Sequence, residues 1–77
     1  MGKMKDLYGE MQNEILNILS EGEKEKQDIC IFLEEEYRDE FDSGIMDYSG
    51  VEMILEDLQA DEHIFFDNAT EKYRIIE

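Results

Sequence analysis

Asp and Glu are the most numerous residues in this sequence that could take part in catalysis or metal binding, since they make up 22 of its 77 residues. Paired carboxylates can perform acid–base catalysis or hold metal ions, but such pairs are inevitable at this density. The sequence contains no glycine-rich phosphate loop and no nucleophile placed beside a base. We therefore predict a protein that is not an enzyme and that uses no cofactor.

One acidic run has the outline of a calcium-binding loop. Residues 39–44 read Asp-Glu-Phe-Asp-Ser-Gly, with the glycine at the sixth position that such a loop requires. Phe41, however, occupies the third position, where an oxygen ligand belongs, and Gly50 occupies the twelfth, where a glutamate belongs. The run therefore does not predict a metal site.

The sequence has one histidine and one cysteine. His63 follows an acidic stretch at the start of a β-rich segment, and a lone histidine at such a boundary is most often structural. Cys30 lies in the apolar run Ile29-Cys30-Ile31-Phe32, which predicts a small buried hydrophobic residue with an unactivated thiol. Because one cysteine cannot form an internal disulfide, the expected compartment is the cytoplasm, with the nucleus as the alternative.

The negative charge is concentrated in one part of the chain. The net charge is -15, and residues 27–71 hold fifteen acidic residues against one basic residue, Arg38. This composition disfavours binding to nucleic acid or to an anionic membrane. The longest apolar runs also fall far short of the roughly 20 residues that a membrane-spanning helix needs. Because acidic and apolar residues alternate, we expect the carboxylates on the outer faces of folded elements.

The spacing of apolar residues predicts three amphipathic helices, near residues 4–20, 25–41 and 49–61. Residues 63–66 and 73–76 are rich in β-branched and aromatic residues and predict a β-hairpin. Together these elements predict a single α+β domain over residues 1–77.

The start of the third helix has a specific signal. Ser49 followed by Glu52 forms the pattern of a capping box, which predicts Ser49 as the N-cap. Tyr48 is expected to pack on Met53 as a hydrophobic staple. The preceding pair Ile45-Met46 is too short for a helix and is expected to be extended.

Three groups of residues resemble a known fold. They are Glu-Ile-Leu-Asn-Ile-Leu-Ser-Glu-Gly at 14–22, Val-Glu-Met-Ile-Leu-Glu-Asp-Leu-Gln-Ala-Asp at 51–61, and the two apolar segments 64–66 and 73–76. Their order is similar to that of the winged helix-turn-helix domain superfamily. The resemblance implies a small α+β winged-helix domain, with three helices followed by a β-hairpin wing. It also implies a short third strand at residues 45–46.

The third helix departs from the DNA-binding members of that superfamily. Those members present Arg, Lys, Asn or Gln to the bases of the major groove. Here the positions away from the apolar stripe carry acidic side chains or glutamine, and none is basic. We therefore predict an acidic interaction module that binds a basic protein surface. Its sharpest form is a DNA mimic that inhibits a nucleic-acid-binding protein, as small phage or mobile-element inhibitors do.

The candidate partner-binding residues lie on the expected outer faces of the second and third helices. They are Glu35, Asp39, Asp42, Glu52, Glu56 and Gln59. Three alternatives remain open. The acidic faces could serve solubility alone. The chain could be a winged-helix transcription regulator that contacts DNA through Lys72, Arg74 and its termini. Such a regulator could act as a homodimer. It could also be a docking subunit of a transcription assembly.

Overall fold

The computed structural model describes residues 7–76. Its elements, in chain order, are α1 (Leu7–Ser20), β1 (Lys24–Glu25), α2 (Lys26–Glu36), α3 (Arg38–Ser43), α4 (Tyr48–Ala60), β2 (Ile64–Asp67) and β3 (Lys72–Ile75). The fold is therefore a small α+β arrangement of four helices and a three-stranded antiparallel sheet in the described part of the chain. Within that part, no helix is long and apolar enough to cross a membrane.

The core forms where α1 packs against α2, α4 and β3. The buried stripe of α1 follows the predicted spacing of four residues, with Met11, Ile15 and Leu19 turned inward. The buried stripes of the other elements complete this core; they are Ile29, Cys30, Leu33, Val51, Ile54, Leu55, Leu58, Ile64 and Tyr73. The predicted amphipathic patterns of α1 and α4 are confirmed.

The sheet has β3 in the centre, with β1 and β2 on its two sides. The predicted hairpin is present, and β2 pairs with β3 so that Ile64 lies opposite Ile75 and Phe66 opposite Tyr73. The rings of Phe66 and Tyr73 lie 4.9 Å apart between centroids, a favourable separation for a cross-strand aromatic pair. This pairing closes one side of the core.

The prediction of one helix over residues 25–41 is wrong, because the chain breaks at Tyr37 into α2 and α3. Tyr37 has φ -119° and ψ 44°, outside the helical region. The last turn of α2 carries Glu34, Glu35 and Glu36, and negative charge is unfavourable at a helix C-terminus. The break places Asp39 and Glu40 in the first turn of a new helix, where carboxylates are stabilising.

The third strand is not where the winged-helix resemblance implied. Ile45 and Met46 belong to the connection between α3 and α4, and Ile45 is exposed. The third strand is instead Lys24–Glu25, which pairs with Tyr73 and Lys72 of β3. Lys and Glu have little strand propensity, so this two-residue strand exists because β3 offers a free edge beside it.

The start of α4 also differs from the sequence prediction. The N-cap is Asp47, whose carboxylate accepts a hydrogen bond of 2.9 Å from the backbone N–H of Gly50. Tyr48 therefore lies inside α4 and not before its cap, where a hydrophobic staple belongs. Met53 is exposed, and the Tyr48 ring makes an edge contact with Phe41 at 6.0 Å between centroids. At the other end of the chain, residues 4–6 of the first predicted helix lie outside the described residues.

Candidate functional site

The six predicted partner-binding residues occupy three different helices. Glu35 lies on α2, Asp39 and Asp42 lie on α3, and the remaining three lie on α4. Five of them are exposed, and Gln59 is partly buried. Because the helix breaks at Tyr37, Asp39 and Asp42 do not continue the helical face that Glu35 begins.

Glu52 is not free at the surface of α4, because it binds Lys26 at the start of α2. The Lys26 Nζ to Glu52 Oε2 distance is 2.8 Å, and both side chains are about half exposed. Among residues 7–76, this is the one ion pair with both partners in the described chain. The pKa of Lys26 is raised. The main cause is its hydrogen bond to Glu52, and the second is the attraction between the two charges.

Beside this ion pair lies an open hollow of about 380 Å³ between α2 and α4. We call it the α2–α4 groove, and its lining residues are Lys26, Gln27, Cys30, Ile31, Tyr48 and Glu52. Two large apolar side chains in it face solvent, since Ile31 is 42% exposed and Tyr48 is 49% exposed.

Cys30 lies at the buried side of the groove, with 5% of its surface exposed. The prediction of a small buried residue is confirmed. Burial raises the pKa of its thiol, and the nearby Lys26 opposes that rise only in part. Cys30 is therefore a packing residue of the groove and not an activated nucleophile.

Tyr48 separates the α2–α4 groove from a second hollow. Its hydroxyl donates a hydrogen bond of 2.6 Å to Glu34 Oε1, and this bond is the main reason that the pKa of Tyr48 is raised. The second hollow is lined by Glu34, Phe41, Asp42, Met46, Asp47, Tyr48 and Ser49. Two of the predicted residues, Asp42 and Glu52, thus line neighbouring hollows on either side of one tyrosine.

Glu56 lies on the same side of α4 as the ion pair. Burial is the main cause that raises the pKa of Tyr73, and the negative charges of Glu52 and Glu56 add to it while Lys26 opposes it. The structure therefore brings Glu52 and Glu56 close to one another and to Tyr73. Asp57 lies toward α1 instead, where it accepts a hydrogen bond from the Tyr8 hydroxyl.

The basic residues of β3 do not form a positive patch. Lys72 lies in register with Glu25 on one side and Asp67 on the other, so both of its cross-strand neighbours are acidic. Arg74 lies over the ring of Phe65, at 5.1 Å from the centroid. Of the two basic residues in β3, only Arg74 has no acidic residue opposite it in the sheet.

Sequence reasoning missed three contributors to this surface, Glu34, Ile31 and Tyr48. Glu34 and Ile31 lie off the apolar stripe of α2, and Tyr48 carried the signal of a helix staple. No local pattern could have paired them, because their contacts join α2 to α4.

Within residues 7–76, no three His, Cys, Asp or Glu side chains are grouped to hold a metal ion. Comparison with protein-family models, with curated proteins and with solved structures gives no significant match. The feature of this site that could bind another molecule is an apolar hollow beside carboxylates.

Proposed function

We propose that this chain is a non-enzymatic acidic interaction module that binds a basic surface of another protein. The observation that carries the proposal is the solvent side of α4, where Glu52 and Glu56 lie together and no Lys or Arg occurs in the helix. Among the residues that the structure describes, Lys26 reaches this side, and Glu52 already binds it. Glu56 and the net negative charge of the chain would attract a positively charged partner there.

A winged-helix arrangement is the finer fold that we propose. Three helical segments and a short helix precede a β-hairpin, and α4 packs on both α1 and β2. This order supports the resemblance seen in the sequence, with α4 in the place of the helix that reads DNA. The short strand β1 and the break at Tyr37 are the features that the resemblance did not imply.

The sharpest form of the proposal is DNA mimicry. If α4 takes the place of a DNA-reading helix, its carboxylates are placed where a DNA-binding member would carry cations. A nucleic-acid-binding protein has a surface that attracts phosphates. The carboxylates of α4 would occupy such a surface and inhibit its binding to DNA.

The competing hypothesis, a DNA-binding regulator, depends on the positive charge of the hairpin. The acidic neighbours of Lys72 weaken that hypothesis, because they would repel the phosphates that Lys72 should hold. We therefore predict no complex with random duplex DNA at physiological salt. A salt-dependent complex at micromolar protein in a gel-shift experiment would support the regulator instead.

The interaction surface can be tested by reversing one charge at a time. Glu56→Lys should weaken capture of a basic partner from cells, because it reverses the charge beside Glu52 without breaking the Lys26 ion pair. Glu21→Lys is the matched control, since Glu21 is an exposed residue just after α1 with the same charge change. Equal losses from both variants would show that net charge, not α4, determines binding.

The mimicry itself needs a competition experiment. The captured partner should be released by increasing salt and by added duplex DNA, since DNA and α4 would occupy the same basic surface. A partner that binds this chain and duplex DNA simultaneously would contradict mimicry while leaving the acidic module in place.

A further inference from the structure

The α2–α4 groove combines exposed apolar side chains with nearby carboxylates. Ile31 and Tyr48 expose large apolar surfaces to solvent within one hollow. Two carboxylates lie beside these apolar side chains: Glu52 lines the hollow in its ion pair with Lys26, and Glu34 accepts the hydrogen bond from the Tyr48 hydroxyl. An exposed apolar hollow within a charged surface is typical of an interaction site.

We propose that the α2–α4 groove binds a basic segment of a partner protein that carries one large apolar residue between lysines or arginines. The apolar residue would lie on Ile31 and Tyr48, and a flanking cation would face Glu34, since Glu52 is already paired with Lys26. The proposal rests on the proposed function, since it names the part of a basic partner that this module recognises.

Charge complementarity identifies this occupant. Lys26 already shows how a flexible ammonium group is held at the rim, with its Nζ at 2.8 Å from Glu52. That contact neutralises Lys26 and Glu52 together, so Glu34 is the carboxylate beside the groove that remains to attract a cation. A second copy of this chain does not fit, because two chains of net charge -15 repel each other.

The apolar contact distinguishes binding in the groove from non-specific attraction between opposite charges. Burying a large aliphatic side chain in an open hollow should tighten binding by about threefold to tenfold. Attraction between exposed charges does not distinguish a leucine from a serine. Two peptides with equal charge therefore test the groove directly.

The probes are a peptide of six lysines with a central leucine and the same peptide with a central serine. We expect the leucine peptide to bind the full chain about threefold to tenfold more tightly in a fluorescence anisotropy titration. Ile31→Gln should remove this preference, because it replaces the apolar surface while keeping a residue that favours helix. Ile76→Gln is the matched control, since Ile76 is 46% exposed on the hairpin and should keep the preference.

The outcomes distinguish the groove from the acidic module. If both peptides bind wild-type protein equally, the groove proposal is wrong and the acidic module stands. If neither peptide binds, both proposals are wrong. If the leucine preference survives Ile31→Gln, the apolar contact lies elsewhere and the groove is excluded. Amide shifts at Ile31 and Tyr48 that differ between the two peptides would confirm the groove in unmodified protein, whatever the folding of the variant.

Discussion

Cys30 and Ile31 are neighbours in the chain but have opposite environments. Cys30 is 5% exposed, whereas Ile31 is 42% exposed on the outer side of the same helix. This difference follows from helix geometry, because successive residues of a helix point about 100° apart. One side chain therefore closes the core while the next faces the groove that we propose as a binding site.

We predict that Cys30 reacts slowly with a thiol-specific disulfide reagent at neutral pH. The thiolate is the reactive form, and burial both raises the pKa of Cys30 and blocks approach to its sulfur. Absorbance of the released thiol should rise much more slowly in native protein than in protein unfolded by urea. Equal rates in the two conditions would mean that α2 opens freely or that Cys30 is not packed in the core.

The sequence predicted the burial of some single residues but not the contacts of others. The burial of Cys30 was predictable, because its apolar neighbours are local. The Lys26–Glu52 ion pair and the Tyr48–Glu34 hydrogen bond were not, because each joins residues of α2 to residues of α4. Local spacing carries no information about which flanks of two helices will meet.

At the scale of elements, strong apolar stripes were the reliable signal. They correctly predicted α1 and α4, and the β-branched and aromatic residues of two short segments correctly predicted the hairpin. They could not predict the break at Tyr37, since Leu33, Tyr37 and Phe41 continue the same spacing of four across it. They also could not predict β1, because its two residues are polar and are defined by pairing with β3.

We predict that Asp47→Ala lowers the free energy of unfolding by about 1 kcal/mol. The substitution removes the carboxylate that accepts the hydrogen bond from the Gly50 N–H, so the first turn of α4 loses its cap. Urea unfolding followed by circular dichroism would measure the change.

Ser49→Ala is the control for this cap. The sequence pattern favoured Ser49 as the N-cap, but the structure places it inside the first turn of α4. We expect its replacement to change the free energy of unfolding by less than about 0.5 kcal/mol. A larger loss from Ser49→Ala than from Asp47→Ala would show that α4 begins at the capping box after all.

For the molecule as a whole, the pKa is raised for Lys26, Cys30, Tyr37, Tyr48 and Tyr73. Burial is the main cause for Cys30, Tyr37 and Tyr73, and a hydrogen bond to a carboxylate is the main cause for Lys26 and Tyr48. At alkaline pH these five groups therefore hold more protons in the native chain than in the unfolded chain. Such a chain loses stability as the pH rises.

We predict that the free energy of unfolding is unaffected by these five groups below about pH 9 and decreases above it. The lower limit follows from Cys30, whose ordinary pKa of 9.0 is the lowest of the five and is raised by burial. Tyr73→Phe should make the decrease shallower, because it removes one raised pKa. Urea unfolding at a series of pH values from 8 to 11 would measure the slope, and a flat profile would contradict the prediction.

The position of β1 has a consequence for how the chain folds. The hairpin β2–β3 closes a short loop, whereas α2, α3, α4 and β2 all lie between β1 and β3 in the chain. Closing a long loop costs more chain entropy, so we expect β1 to dock after the helices and the hairpin have formed. Until then β3 has an unpaired edge, which is the kind of edge that recruits a strand from another molecule. The strong mutual repulsion of these acidic chains would protect the newly made protein from aggregation during that interval.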